Sequence, residues 1–421
     1  MDDLIPRAAS EQLDELIKAF RIVIVNGPRQ AGKTTLLRLY EHSHGGEYRS
    51  LDSAPTLATA EADPESFVRI GERPLIIDEV QYGGDRLLRA VKQVVDSVRG
   101  PGQFLLSGST RFLTVPTLSE SLAGRAVFVD LWPLSMAERT DHASSDFLDR
   151  VFTDLPSLRG FTSPWQRDDY LCLLCQGSYP EVVSIDTPRQ RRSWFNGYVR
   201  MVTSRDVRQF AHLPDIRMLG QLLGMVAARS GGLLVFEDLA RGLGSTAHTV
   251  RTHLSYLETV FLCATVPAWS TNLTSRITKT PKVFLTDVGL AANLLRVSSE
   301  ALRRPGHPAL GGLLETFVYT ELLKAQARTG DAFSISHLRD RDGREVDFLC
   351  EGPDGLVTAF EVKASLSPRS DADRHLRWLR DKIGDRFAAG VVFYLGEHSY
   401  SLGDRILLLP VSALWNHTQL P

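Results

Sequence analysis

The feature that most constrains this chain is a glycine-rich segment near its start. Residues 27–35, GPRQAGKTT, follow a β-branched apolar run at 21–26 and precede the helix-forming run LLRLY. The segment matches GxxxxGK[ST] in the strand, loop, helix order that this motif requires. Its glycines let the loop turn N–H groups toward phosphate oxygens, and the helix N-terminus adds a positive dipole. The sequence therefore predicts an α/β domain that binds a nucleotide.

Two residues of this loop have specific expected roles. Lys33 would reach the β- and γ-phosphates of ATP, and the Thr34 hydroxyl would ligate Mg²⁺. ATP and Mg²⁺ are the expected cofactors. The predicted nucleotide-binding residues are Gly27, Pro28, Arg29, Gln30, Ala31, Gly32, Lys33, Thr34, Thr35 and, from a later strand, Ser109.

Two further strand-like runs end in polar residues. Residues 74–79, PLIIDE, end in Asp78, which is placed to hold Mg²⁺, and Glu79, which is placed to polarise the attacking water. The run at 103–106 is followed by Ser-Gly-Ser, and Ser109 could contact the γ-phosphate or water. The alternative is that Ser109 is a plain turn residue.

Arg125 lies in a Gly-Arg pair before the strand-like run at 126–131. An arginine there could stabilise the transferring phosphoryl group as a catalytic residue, in cis or in a neighbouring subunit. A surface or structural arginine is an equal alternative. Action in trans would need a homo-oligomer, which the sequence leaves open.

The amino-acid composition is that of a globular protein. The chain has 421 residues, 43 % hydrophobic and 23 % charged, which is typical of a globular protein with two to four domains. No run approaches the roughly 18–20 apolar residues that span a bilayer, so we expect no membrane association. Four cysteines are few for a disulfide-stapled secreted protein, and the expected location is the cytoplasm.

Charge is unevenly distributed along the chain. The net charge is −2, yet residues 188–282 contain thirteen Lys and Arg against five Asp and Glu. A basic middle between acidic ends favours a polyanionic partner, and we expect nucleic acid, DNA rather than RNA. The alternative is that these arginines pair with the acidic flanks. Arg205 and Asp206, at the end of a helix-rich stretch, are expected to form a salt bridge within or between helices.

The middle of the chain predicts three helices and a β-hairpin, the elements of a winged helix. Ser245 and Thr246 are candidate N-cap residues for the third helix. This helix would enter a major groove of DNA. The alternatives are a protein–protein module and a solvated basic loop. The predicted DNA-binding residues are Thr246, His248, Thr249, Arg251 and Thr252 on the helix, and Arg276, Lys279 and Lys282 on the wing.

The last part of the chain has a carboxylate–lysine pattern. Glu361 and Lys363 are two apart on a strand and project to one face, and Asp347 lies fourteen residues before Glu361, as hairpin pairing requires. Asp347 and Glu361, with a helical Glu315 as a third candidate ligand, would hold Mg²⁺ or Mn²⁺. Lys363 would position the attacking water. These are the candidate catalytic residues for phosphodiester cleavage. The alternative is an inactive scaffold that only binds nucleic acid.

Several of these segments together resemble a known family. GPRQAGKTT, PLIIDEVQ, LLSGSTRFL and LAGR…LWPLS are similar to AAA-type P-loop ATPases (AAA_14) fused to a DUF4143 domain with a PD-(D/E)XK nuclease-like core. The resemblance covers nearly the whole chain. It implies ATP and Mg²⁺ roles for Lys33, Thr34, Asp78 and Glu79. This sequence departs from the nuclease signature in having no Pro before Asp347.

These observations predict an α/β multidomain protein. The expected division is a P-loop AAA-type ATPase domain at 1–160, a helical lid-like segment at 161–210, a winged helix at 211–298 and a restriction-endonuclease-like α/β domain at 299–421. The expected function is Mg²⁺-dependent ATP hydrolysis that controls how DNA is held and cut. The alternatives are a nucleotide switch without nuclease activity and a toxin or defence component. A regulatory protein partner stays open.

Overall fold

The structure of the protein, a computed structural model, describes residues 4–111, 122, 124–140, 145–207, 217–270, 279–330, 332–352 and 354–416. The chain divides into two compact units. The first consists of Met1–Leu134, Arg205–His212 and Thr259–Phe261, and the second of Ser135–Ser204, Leu213–Glu258 and Leu262–Pro421. The four-part division of the sequence stays a prediction.

The first unit is built on a parallel sheet in the order β2-β3-β4-β1-β5, which confirms the predicted α/β class for this part of the chain. Its strands are β1 (Ile22–Asn26), β2 (Glu47–Ser50), β3 (Leu75–Asp78), β4 (Phe104–Gly108) and β5 (Ala126–Asp130). Its helices are α1 (Ala9–Ala19), α2 (Lys33–His44), α3 (Ala54–Ala62), α4 (Pro64–Arg69) and α5 (Gly84–Ser97).

Both faces of this sheet are covered, which explains why its central strands are continuous apolar runs. Along β1, Ile22 and Ile24 pack into the cluster that includes the apolar face of α5. Val23 and Val25 alternate with them and pack into the cluster containing residues of α1 and α2. Because the strands are parallel, the carboxyl ends of β1, β3 and β4 lie at one edge, where ligands bind in such sheets.

The second unit begins with helices and ends with a mixed sheet. Its helices are α6 (Met136–Arg139), α7 (Phe147–Thr153), α8 (Arg167–Gln176), α9 (Pro180–Val183), α10 (Pro188–Met201), α11 (Arg217–Ala228), α12 (Phe236–Leu243), α13 (Ala247–Thr259), α14 (Val288–Leu294), α15 (Ser299–Leu302), α16 (Ala309–Arg328) and α17 (Arg374–Ile383). Its strands are β6 (Cys263–Val266), β7 (Lys282–Leu285), β8 (Ser334–Arg339), β9 (Glu345–Glu351), β10 (Val357–Lys363), β11 (Phe387–Tyr394), β12 (Tyr400–Gly403) and β13 (Ile406–Pro410).

The middle of the chain has the element order expected from the sequence. Three helices, α11, α12 and α13, precede the antiparallel pair β6 and β7. The side chain of Thr246 accepts a hydrogen bond from the backbone N–H of Thr249 at 3.1 Å, which is the N-cap expected for α13. The winged-helix assignment stays a prediction. Arg276, expected on the wing, lies outside the described residues.

The C-terminal sheet has the order β12-β13-β11-β10-β9-β8. Strands β8, β9 and β10 pair antiparallel, and β10, β11 and β13 pair parallel. Helix α16 precedes β8, and α17 connects β10 to β11 and buries Leu376 and Leu379 against residues of β9 and β10. Among the described helices, none is long and apolar enough to cross a membrane. The four cysteines all lie within the described residues, and no disulfide bond joins them.

Candidate functional site

The loop before α2 depends on glycine at two positions. Gly32 caps α2 with φ of 99°, in the left-handed region that glycine adopts without strain. A Cβ atom at Gly27 would lie 2.1 Å from the carbonyl oxygen of Leu131, so no larger residue fits there. These constraints hold the loop residues against the N-terminus of α2, where backbone N–H groups are available to an anion.

Lys33 is held inside this loop. Its side chain is buried, and Nζ donates hydrogen bonds to the carbonyl oxygens of Gly27 and Pro28, each at 2.9 Å. Burial lowers the pKa of Lys33, against the opposing attraction of Glu79 and Asp78. The ammonium therefore lies within the loop that is predicted to enclose phosphates.

Asp78 is the centre of a hydrogen-bond network at the end of β3. Its Oδ2 accepts from the Thr34 hydroxyl and from the Tyr48 hydroxyl, each at 2.7 Å, and its Oδ1 accepts from the Ser107 hydroxyl. The Thr34 hydroxyl and the Asp78 carboxylate are hard oxygen donors, which fit Mg²⁺ bound together with nucleotide phosphates. Sequence reasoning found Thr34 and Asp78 but missed Tyr48, which comes from the neighbouring strand β2.

Glu79 is positioned by the residues around it. Its backbone has φ of 57°, uncommon for a non-glycine residue, and its N–H donates to the Ser107 hydroxyl at 3.1 Å. Gln81 Nε2 donates both to the Glu79 carboxylate and to the Ser109 hydroxyl, the latter at 3.1 Å. The structure thus brings the predicted residues Glu79 and Ser109 together through Gln81, which the sequence did not single out.

Arg29 of the loop is joined to a residue that is distant in sequence. Its Nε lies 2.7 Å from Asp206 Oδ2, and its Nη2 donates to the Tyr82 hydroxyl at 2.7 Å. Asp206 is buried. Asp206 therefore pairs with a residue of the nucleotide loop, whereas the salt bridge expected from the sequence lay within or between helices. Nothing in the local sequence pattern indicates a pairing over 177 positions.

The remaining predicted residues of the first unit have structural contacts. The carbonyl oxygen of Ala31 accepts from Arg7 at 2.6 Å, and Gln30 adopts a positive φ of 61°. Arg125 forms an ion pair with Asp96, with Nε 2.6 Å from Oδ1, and both side chains are partly exposed. This surface pair is one of the two alternatives that the sequence left open for Arg125, and its catalytic role stays a prediction.

A second candidate site lies at the start of β9 and the end of β10. We call Glu315, Glu345, Asp347 and Glu361 the acidic cluster. Glu361 Oε2 lies 2.6 Å from Lys363 Nζ, consistent with their expected projection to one face. Asp347 Oδ2 accepts from the backbone N–H of Val362 at 2.9 Å. The structure therefore brings Asp347, Glu361 and Lys363 together, as the sequence predicted.

Lys282 lies among these carboxylates and not on an exposed wing. Its side chain is 1 % exposed, and Nζ lies 2.8 Å from Glu345, 3.4 Å from Asp347 and 3.8 Å from Glu315. The expectation that Lys282 offers its charge to DNA phosphates is wrong for this arrangement, because three carboxylates already surround its ammonium. Glu345 was not among the predicted site residues.

The acidic cluster has the donors that a divalent cation prefers but not a preformed cage. Burial and the neighbouring Asp347 carboxylate raise the pKa of Glu315 and of Glu361 to about 8. The buried Oε1 of Glu361 has no hydrogen-bond partner among the described residues. Carboxylate oxygens fit Mg²⁺ or Mn²⁺. Across the described part of the chain, however, no three Asp, Glu, His or Cys side chains are grouped as a metal site.

The predicted DNA-binding residues of the middle segment lie at or near the surface. Thr246 at the N-cap of α13 and His248 and Arg251 in its first half are exposed. The guanidinium of Arg251 lies 4.1 Å from the ring centre of Phe236. Lys279 is exposed. Thr249 and Thr252 are half-buried. Contact with DNA stays a prediction for these residues.

Comparison with known proteins finds three domain families along this chain. Residues 19–140 match the AAA domain family AAA_14, residues 310–414 match the domain of unknown function DUF4143, and residues 167–301 match the domain of unknown function DUF8612.

Two relatives are uncharacterized proteins, Rv2008c of Mycobacterium tuberculosis and Mb2031c of Mycobacterium bovis. Each is 28 % identical over 410 residues, which covers 97 % of this chain and 84 % of the relative. A similar solved structure is the Walker-type ATPase PABY2304 of Pyrococcus abyssi, with 16 % identity, a TM-score of 0.42, and coverage of 70 % of this chain and 97 % of that one. The chain therefore carries a P-loop ATPase domain of the AAA_14 type and a DUF4143 domain.

Proposed function

We propose that this protein hydrolyses ATP with Mg²⁺ and uses its nucleotide state to control a DNA-directed C-terminal domain that cleaves phosphodiesters. One observation carries the nucleotide half of the proposal. Lys33 and Thr34 open α2, and Asp78 and Glu79 lie at the end of β3. The Thr34 hydroxyl donates to Asp78 at 2.7 Å, which joins the two segments at one edge of the parallel sheet. P-loop ATPases perform phosphoryl transfer with these residue types in this arrangement.

The chemistry at this edge follows from the side chains present. The Lys33 ammonium leaves its two backbone carbonyls for the β- and γ-phosphates, and the N–H groups at the start of α2 share the charge. Mg²⁺, when bound by Thr34 and Asp78 with the phosphates, supplies charge neutralisation for the transition state. Glu79 accepts a proton from the attacking water, and Gln81 orients the Glu79 carboxylate for this role.

The nuclease half of the proposal rests on Asp347, Glu361 and Lys363. A hydroxide must be positioned beside the scissile phosphate, and the Lys363 ammonium at the Glu361 carboxylate is placed to orient that water. A divalent cation held by Asp347 and Glu361 would polarise the phosphate. DNA is the proposed substrate because the basic middle of the chain exposes Arg251 and Lys279, which suit phosphate contacts.

A specific observation favours a second candidate function, which is a nucleotide switch without cleavage. The ammonium of Lys282 already neutralises part of the acidic cluster, as a structural ion pair would. In this case ATP would set the conformation of a C-terminal domain that binds a partner only.

Nicking of supercoiled plasmid separates the two candidates. The full chain is incubated with Mg²⁺ or Mn²⁺, with and without ATP, beside Asp347→Asn and Lys33→Ala. We expect nicking by the wild type, none by Asp347→Asn, and an altered ATP dependence in Lys33→Ala. If no DNA is nicked at any metal concentration while ATP is hydrolysed, the nuclease half of the proposal is wrong and the switch is favoured.

A further inference from the structure

We propose that the ammonium of Lys282 is an internal competitor of the divalent cation, and that it keeps the acidic cluster closed to metal until it is displaced. This inference rests on the proposed nuclease function, because it concerns the same carboxylates. In this proposal Lys282 controls access of a metal ion to the carboxylates and does not contact DNA.

The first argument is where the ammonium lies. Lys282 Nζ contacts a carboxylate from α16, Glu315, and two from β9, Glu345 and Asp347. Asp347 is one of the two proposed metal ligands. The backbone N–H of Val362 fixes its other oxygen, so the oxygen near Lys282 is the one left for a metal. A metal ion and an ammonium that share a carboxylate oxygen would lie within a few ångströms of each other. Their repulsion makes the two occupants mutually exclusive.

The second argument is the balance of charge. The acidic cluster has four carboxyl groups, and the ammonium groups of Lys282 and Lys363 are paired with it at 3.4 Å or less. A divalent cation in place of the Lys282 ammonium would bring two positive charges to the carboxyl groups around it, where the ammonium brings one. The buried Oε1 of Glu361, on a side chain 3 % exposed, accepts no hydrogen bond from a described residue, and its ion-pair contact with His375 Nδ1 is 3.9 Å long. This is an independent sign that the oxygen can accept a further ligand.

The third argument is how Lys282 is anchored. Its backbone pairs with Val266 of β6 and forms a bridge with Leu233, so the start of β7 is fixed. The four-carbon side chain is flexible, and its ammonium is a point charge rather than a rigid fork. The head can therefore move away from Asp347 while the strand stays in place. Other groups near the cluster are Arg339, 3.9 Å from Glu345, and His375, 3.9 Å from Glu361.

Metal affinity tests the inference without reliance on catalysis. Mn²⁺ is titrated calorimetrically into the nucleotide-free full chain, as wild type and as Lys282→Met. We expect about tenfold tighter binding or more in Lys282→Met, since the competing charge is gone, and loss of this gain when Asp347→Asn is added. Lys324→Met is the matched control, because Lys324 is also buried and paired, with Glu321 at 2.8 Å, on α16.

The outcomes separate the inference from the function on which it rests. Equal Mn²⁺ affinity in wild type and Lys282→Met would overturn the competition and leave the metal site standing. Absence of Asp347-dependent binding in both would overturn the metal site itself. If Lys282→Met does not fold, the double variant Lys282→Met/Glu345→Gln removes one charge of each sign, and the same comparison is made with Glu345→Gln alone.

Discussion

Lys33 and Lys282 are both buried lysines at candidate sites, yet their partners differ in kind. Lys33 is held by two neutral carbonyl oxygens, five and six residues earlier in its own loop. Lys282 is held by three carboxylates from 33 to 65 positions away in the chain. Neutral carbonyls give up an ammonium to an incoming phosphate more readily than carboxylates do. The ammonium of Lys33 is therefore available to a bound phosphate, whereas the ammonium of Lys282 occupies the place that a metal ion would take in the acidic cluster.

The largest effect is expected at the nucleotide site, on removal of the general base. Glu79→Gln keeps the shape of the side chain but cannot accept a proton, so kcat for ATP hydrolysis should fall by about 10²–10⁴. Nucleotide affinity should be unchanged, because Lys33 and the loop are intact. Phosphate release and binding of a fluorescent ATP analogue measure the two quantities. An unchanged kcat would place the base elsewhere.

The two lysines should differ in their contribution to stability. Lys282→Ala removes the buried ammonium that three carboxylates surround, one of them the buried Asp347, and should lower the free energy of unfolding by roughly 3 kcal/mol. Lys33→Ala removes only hydrogen bonds to two carbonyls and should cost about 1–2 kcal/mol. Urea unfolding of both variants measures the difference. Equal losses in the free energy of unfolding would show that the carboxylate partners of Lys282 hold it no more strongly than the carbonyl partners of Lys33 hold that residue.

The pairing of Asp206 with Arg29 gives a smaller expected effect. Asp206→Ala removes the carboxylate paired with the largely buried Arg29 guanidinium and should lower the free energy of unfolding by roughly 2 kcal/mol, less than for a fully buried pair because Arg29 keeps some exposure. Asp96→Ala breaks the exposed pair with Arg125 and is the control, with an expected loss clearly smaller than that of Asp206→Ala. If the two losses are the same, the buried pair does not hold the nucleotide loop.

A further comparison concerns the pH dependence of the acidic cluster. Burial, with the adjacent Asp347 carboxylate, raises the pKa of Glu361 from 4.5 to about 8, so the folded state favours its protonated form. Its contribution to stability is complete below pH 4.5 and is lost as the pH rises through 8. We therefore expect the melting temperature to fall between pH 6 and pH 9, and to fall less in Glu361→Gln. A fall of equal size in both proteins would show that other groups titrate.

The nucleotide site could be predicted because its determinants are local. The spacing from Gly27 to Thr34 specifies a loop before a helix, and an apolar run ending in Asp78 specifies the end of a strand. Parallel strands then bring both to one edge of the sheet. Likewise, the alternation of a strand placed Glu361 and Lys363 on one face.

The errors came from contacts between residues far apart in sequence. In the sequence, Lys282 is indistinguishable from the other cations of a basic stretch. Its ammonium is buried among carboxylates because β7 packs near α16 and β9. Asp206 reads as a helix-terminal acid, and its partner Arg29 is 177 positions away. Charge complementarity over such distances has no periodicity that a sequence pattern could reveal.

Mg²⁺-dependent ATP hydrolysis by the full chain, measured for three lysine variants side by side, tests the central claim most directly. We predict a loss of about a hundredfold or more in Lys33→Ala. Lys282→Met, and Lys18→Ala at an exposed position of α1, should hydrolyse ATP at the wild-type rate. Hydrolysis by Lys33→Ala at the wild-type rate would contradict the assignment of the nucleotide site.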